Sequence, residues 1–152
     1  MRICVLGSSG FIGSHLVERL LADGHEVTGY SRNAYSPTKA GAPGSYRHIT
    51  GDFTAETNLA GIVGQSDICF HLVSTTNPGS AESDPARDVQ SNLLPTGRLA
   101  QHLANVAPKT RLIFVSSGGT VYGHTDAARL TESTPADPIS AVAALPDDAE
   151  IC

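Results

Sequence analysis

The chain has 152 residues, a length that suits one domain around one hydrophobic core. Apolar residues make up 40% and there are 15 glycines, which excludes disorder of the whole chain. The net charge of −5 is confined to residues after 125, where six acids face Arg129 alone, so the basic excess that a nucleic-acid surface needs is missing.

Arg2–Leu6 is a short apolar, β-branched run that stops at glycine, and Glu26–Tyr30 is a second run that ends before Ser31-Arg32-Asn33; both read as strands. Between them Ile12, Leu16, Val17, Leu20 and Leu21 recur at helical spacing, with Glu18, Arg19 and Asp23 on the other face and Gly24 placed to end the helix. A β-α-β unit is predicted. A short strand around Tyr46–Ile49, a weak helix near Glu56–Val63 and a strong strand Asp67–Val73 follow. A long helical stretch from Pro85 to Ala104 contains Pro95, which should kink or break it. Arg111–Ser116 is apolar almost throughout, as a strand covered on both faces by helices would be. Residues 33–45 and Ser74–Asp84, rich in Ser, Pro and Gly, read as mobile loops. From Ala127 the periodicity fades, and Ala136–Cys152 predicts neither helix nor strand. Strands alternating with helices imply a mostly parallel sheet.

No apolar run approaches the roughly 20 residues of a membrane span, and Met1–Leu6 is too short to be a secretory signal, so a cytoplasmic protein is expected, with no membrane partner. The cysteines, 4, 69 and 152, are odd in number and widely spaced, and the six histidines show no ligand spacing with them, so neither a disulfide framework nor a metal site is expected.

The turn Gly7-Ser8-Ser9-Gly10-Phe11-Ile12-Gly13 lies where the first strand gives way to the first helix. Glycines there let the backbone approach a pyrophosphate, and the helix start offers unpaired N–H groups to its oxygens. The spacing is G-x-x-G-x-x-G, a weak pattern alone and a strong one in this setting. With Ser14-His15-Leu16 behind it, Gly51-Asp52-Phe53 after the third strand, Asn92 in the long helix and Ser116–Gly123 after the fifth strand, the chain resembles the extended short-chain dehydrogenase/reductases, the NAD-dependent epimerases and dehydratases of nucleotide sugars. The resemblance spans residues 1–140.

It implies a doubly wound Rossmann-type sheet of order 3-2-1-4-5 over residues 1–140, ending before the substrate lobe, with 141–152 as an aberrant or disordered tail. It implies a dinucleotide held by Gly7, Gly10, Phe11, Ile12 and Gly13, with Asp52 at the adenine and Phe53 beside it. Leu72, Val73 and Ser74 would line the nicotinamide-ribose path, and Asn92 would support that side. Each has a plainer alternative: Asp52 a turn residue, Asn92 a helix-surface residue, Leu72 and Val73 simple core. At the end of the second strand, NAD-preferring members carry an acid where this chain has Ser31, and Arg32 follows. A missing carboxylate beside a guanidinium suits a 2′-phosphate, so NADP is favoured over NAD, against the alternative of Arg32 as a solvated charge.

The chemistry that the resemblance implies needs a tyrosine to exchange a proton with a sugar hydroxyl, a lysine four residues on to lower its pKa, and a Ser or Thr to bind the substrate oxygen. For the last, Thr120 is the first candidate and Ser117 the second; either also serves as a hydroxyl satisfying the turn. Glu132–Ala141 is similar to the family segment that leads into Tyr-x-x-x-Lys, but the matching positions hold Val142 and Pro146. Tyr122 has no lysine four residues on, and reads as a structural or substrate-side residue. The expectation is a truncated or frame-shifted chain carrying the cofactor half of an epimerase or dehydratase; the rival is a non-catalytic dinucleotide-binding or sensing module. A nucleotide-sugar substrate and a homodimer are the further partners that the resemblance allows.

Overall fold

The computed structural model describes residues 1–38, 43–55, 59–75, 84–117, 121–123 and 129–137. In them five strands, β1 (Arg2–Leu6), β2 (Glu26–Ser31), β3 (Ser45–Thr50), β4 (Ile68–His71) and β5 (Arg111–Phe114), form one sheet. Every pairing is parallel and the order is β3-β2-β1-β4-β5, as the sequence predicts. The strand order reverses between β1 and β4, and in such sheets a crevice opens there, beyond the strands' carboxyl ends.

Helix α1 (Phe11–Ala22) buries Gly13, Val17, Leu20 and Leu21. They meet Ile3, Val5 and Val27 on one face of the sheet. Gly24, at φ +82°, ends the helix in the left-handed conformation that glycine adopts without penalty. Ile12 departs from the predicted stripe. It is 59% exposed, in the first turn of α1 just after the glycine-rich segment.

The other face carries α2 (Leu59–Val63), the short α3 (Pro85–Asp88) and α4 (Leu94–Val106). Leu59, Val63, Leu99 and Leu103 cover Cys4, Leu6, Tyr30 and Cys69. The long helical stretch is broken as Pro95 predicts, in a specific way. Val89–Leu93 is a π-helical turn between α3 and α4, with the Leu94 N–H reaching back to the Val89 carbonyl. Pro95 then occupies the first turn of α4, where a missing N–H costs little.

Two expectations are corrected. β5 is only half-buried along Leu112–Phe114 rather than covered on both faces, because in the described structure it lies at the end of the sheet. The loop after β2 is pinned as far as it is described. The Tyr35 hydroxyl donates to the Ser14 carbonyl at 3.3 Å and the Thr38 hydroxyl to the Glu18 carboxylate at 2.6 Å, both on α1. The predicted tail, 141–152, lies outside the described residues, as does most of Ser74–Asp84. No helix of the described residues is long and apolar enough to cross a membrane, and they contain no group of three or more His, Cys, Asp or Glu that could hold a metal.

Candidate functional site

The strands end at a common level. Gly7 continues the β1 ladder by donating to the Tyr30 carbonyl at 2.8 Å, Leu72 donates to the Leu6 carbonyl at 3.0 Å, and Val115 to that of His71 at 3.3 Å. Above this level the chain turns into α1 through the glycine-rich segment.

Gly7 sits at φ +87°, and a Cβ there would stand 3.0 Å from the Leu72 carbonyl oxygen. The turn therefore abuts the end of β4 closely. A Cβ on Gly13 would collide with the Gly7 carbonyl oxygen and lie 3.0 Å from the Ser8 Cα, so only glycine lets the first turn of α1 fold back on the loop. Gly10 is the residue before the helix, at φ −76° and ψ 172°, with no side-chain cap. The first helical bond runs from Ser14 N–H to the Gly10 carbonyl at 2.9 Å. The preceding amides, of Phe11, Ile12 and Gly13, are those that a helix leaves without intrahelical partners. Phe11 and Ile12 are 83% and 59% exposed beside them. Amides, a helix dipole and glycines that clear the approach are what an anionic diphosphate requires, so these residues fit a dinucleotide.

At the end of β2, Ser31 is buried and its hydroxyl donates to the Asn33 carbonyl at 2.9 Å. It also lies 3.3 Å from the hydroxyl of Ser8, which is fully buried. Arg32 is exposed. Across from it, at the end of β3, the Asp52 Oδ1 accepts from the Thr54 N–H at 2.9 Å and hydroxyl at 2.8 Å. These bonds, followed by the nearby Arg32 charge, hold the Asp52 carboxyl below its ordinary range. The turn reading of Asp52 is thus realised for one oxygen. Phe53 points the other way, 5% exposed, with its ring 4.7 Å from that of His71 in the core.

At the end of β4, Leu72 and Val73 are half-buried and pack against opposite faces of the sheet core. Ser74 follows, exposed. Asn92, predicted from the sequence as a supporting residue, lies on the π-helical turn, 4% exposed. Its Oδ1 accepts from the Thr75 N–H at 2.9 Å and hydroxyl at 3.0 Å, while its Nδ2 donates to Asp88 at 2.8 Å. It fixes the segment leaving β4 rather than facing solvent. The π turn is what aims it there. The sequence reading missed Thr75, Asp88 and Ser8, whose roles arise from pairings across 17 and 23 positions and from a turn that no motif marks.

Beyond β5, Ser117 is exposed, and its carbonyl accepts from the Val121 N–H at 3.0 Å. Val121–Gly123 is held in turn by the Asp137 N–H, which donates to the Val121 carbonyl at 2.9 Å. Tyr122 lies half-buried in that segment. Thr120, Val142 and Pro146 lie outside the described residues. One Tyr-x-x-x-Lys spacing that the sequence reading passed over is Tyr35 to Lys39. It is no catalytic pair, for Tyr35 lies outside any helix, its hydroxyl is spent on α1, and burial followed by Glu18 raises its pKa.

A family model described as the NAD dependent epimerase/dehydratase family matches residues 3–144. The chain belongs to this family. The UDP-glucose 4-epimerase of Mycolicibacterium smegmatis is 35% identical over 150 residues, covering 95% of this chain and 47% of its own length. Among solved structures, MoeE5 in complex with UDP-glucuronic acid and NAD superimposes with a TM-score of 0.80 at 29% identity, covering 94% of this chain and 45% of that one. The UDP-glucose 4-epimerase of Thermus thermophilus, complexed with NAD, gives 0.76 at 29%, with 95% and 47% covered. This chain spans about half the length of each. As a member of the epimerase/dehydratase family it has the Rossmann-type sheet in place, with the glycine turn at the carboxyl end of β1.

Proposed function

We propose that the chain is the dinucleotide-holding part of an NAD(P)-dependent epimerase or dehydratase acting on a nucleotide sugar or a similar hydroxylated substrate. The observation that carries this reading is the glycine turn, whose close-packed backbone opens the first amides of α1 at the switch point of a parallel sheet. When bound, the cofactor supplies a nicotinamide that takes and returns hydride.

The amides of Phe11, Ile12 and Gly13 hold the pyrophosphate. Asp52 keeps Oδ1 on Thr54 and offers its other oxygen to the adenine amine, with Phe53 fixing that turn from beneath. Leu72, Val73 and Ser74 border the nicotinamide ribose, and Asn92 positions them through Thr75. Thr120, with Ser117 as second choice, bonds the substrate oxygen. The bound NAD of MoeE5 and of the Thermus enzyme supports the cofactor class.

The ribose end favours NADP. Ser31 presents no carboxylate to two ribose hydroxyls, and the exposed Arg32 guanidinium suits a phosphate. NADP should bind more tightly than NAD by calorimetry, and Arg32→Ala should remove about 1–3 kcal/mol from NADP alone. Equal losses for both cofactors would assign Arg32 a purely structural part.

The chain by itself should turn over no nucleotide sugar at a measurable rate. General acid–base assistance is worth roughly 10²–10⁴-fold, and Val142 and Pro146 stand where the tyrosine and lysine are expected. The assay compares this chain with one continued from Ala141 by a related enzyme's C-terminal half, across a panel of nucleotide sugars. Activity in the short chain that disappears on Tyr122→Phe would make Tyr122 the base and overturn this reading.

A further inference from the structure

On the face of the sheet that α1 covers, β3 contributes two polar side chains, Tyr46 and His48, both half-buried. In the parallel register Tyr46 pairs with Val27 and His48 with Gly29. The Tyr46 hydroxyl lies over the backbone of Gly29. A Cβ there would collide with that hydroxyl and stand 2.8 Å from the Ser8 Oγ. Glycine weakens a strand interior and marks places where another group approaches the backbone closely. Here its missing side chain lets a residue of the end strand reach the glycine turn beyond β1.

Ser8 is where that reach ends. Of the two side chains between Gly7 and Gly10, Ser9 is exposed and Ser8 is fully buried. The Ser8 hydroxyl is hydrogen-bonded to Tyr46 and lies 3.3 Å from that of Ser31. On its other side the Tyr46 hydroxyl is 3.0 Å from His48 Nδ1, and the Tyr35 ring meets the Tyr46 ring edge-on at 6.1 Å. A polar chain thus runs from His48 through Tyr46 to Ser8 and Ser31. Glycines leave a backbone free to adopt many conformations, so a turn rich in them is held by what its buried side chain touches. The Ser8 Cα is also part of the surface against which Gly13 packs the first turn of α1.

We propose that Tyr46 is a positioning residue for the dinucleotide: its hydroxyl, meeting Ser8 in the space left at Gly29, holds the glycine turn in the form that presents the Phe11, Ile12 and Gly13 amides. This rests on the reading that the turn holds a pyrophosphate. Without the hydroxyl the turn keeps its glycines and its helix, but the cofactor has to order it on binding, and that ordering weakens affinity. NAD and NADP share the pyrophosphate, so both are affected alike.

Tyr46→Phe keeps the ring and removes the bond. In a variant that urea unfolding shows to be folded, calorimetric titration should find affinity for NAD and for NADP each reduced by about five- to tenfold, the equivalent of one hydrogen bond. Ser8→Ala should lose at least as much, and the double variant no more than Ser8→Ala alone, because the two changes remove the same contact. Amide resonances of Ser8, Ser9 and Gly10 in the cofactor-free chain should move in Tyr46→Phe, a reading that does not depend on binding. Gly29→Ala, which displaces the hydroxyl with Tyr46 and Ser8 both intact, provides the same readings if Tyr46→Phe fails to fold. Full affinity in a folded variant, losses that multiply in the double variant, or shifts confined to β3 would overturn the assignment. A parent chain that binds neither cofactor would instead refute the dinucleotide reading, and this proposal with it.

Discussion

Gly13→Ala should destabilise the fold by about 3 kcal/mol and abolish dinucleotide binding with it, the upper range for overpacking at a site that cannot relax. The added methyl meets backbone, the Gly7 carbonyl and the Ser8 Cα, rather than a side chain able to swing away. Gly10→Asp should behave differently. A Cβ at Gly10 comes only to 3.2 Å of the Gly7 oxygen, and aspartate is a favoured residue at a helix N-cap. The fold should hold while the carboxylate enters the phosphate path and repels it, weakening binding by about 100-fold or more. Urea unfolding and calorimetric titration of both variants separate the two effects. Unchanged affinity in Gly10→Asp would mean that the turn holds no phosphate.

Acid should weaken the fold through His71. This ring is 1% exposed at the end of β4, with Nε2 3.1 Å from the Thr96 hydroxyl and the rings of Phe53 and Phe114 at 4.7 and 5.2 Å. Burial lowers its pKa from 6.5 to about 4. The folded state therefore takes the proton later than the unfolded chain does, and the contribution to stability is complete above pH 6.5 and lost progressively as pH falls towards 4. At 1.36 kcal/mol per pKa unit the loss between pH 7 and pH 4 is about 3 kcal/mol. Asp52 and Asp67, whose carboxyls are also held below the ordinary range, weaken the fold in the same direction at lower pH. Comparison with His71→Gln isolates the histidine. The variant is less stable at pH 7, and its deficit should shrink by about 3 kcal/mol at pH 4 in urea titrations. Parallel pH profiles would show that His71 is not the group responsible.

Much of this was legible in one dimension because the signals are local. Helical spacing in α1, glycine at its C-terminus, β-branched runs and the glycine turn each act within a few residues, and parallel order follows from their alternation. Pro95 announced a break, but not that the break would be a π-helical turn, because the geometry depends on how α3 and α4 pack on the sheet. Asn92 was found by resemblance, whereas its bonds to Thr75 and Asp88 follow from that turn. The resemblance places Ser31 at a ribose, and in the fold its hydroxyl turns inward to Asn33 and Ser8. Such partners are chosen by burial, since an unpaired hydroxyl inside the protein is costly and takes the nearest carbonyl, and sequence spacing carries no trace of it. The half-buried state of β5 departs from what its apolar run predicts for a related reason. Apolar composition reports what a strand is able to bury, and its place in the sheet decides how much it does.

The proposed function stands or falls on whether the dinucleotide seats its pyrophosphate on the first turn of α1. Backbone amide shifts in a ¹⁵N-labelled chain, followed while NAD and then NADP are added, decide this. Saturable movement of Gly10, Phe11, Ile12 and Gly13, accompanied by Ser31, Arg32, Leu72 and Val73, is the expected outcome. A folded chain whose amides stay still at millimolar cofactor, or whose shifts gather away from the carboxyl ends of β1 and β4, would refute it.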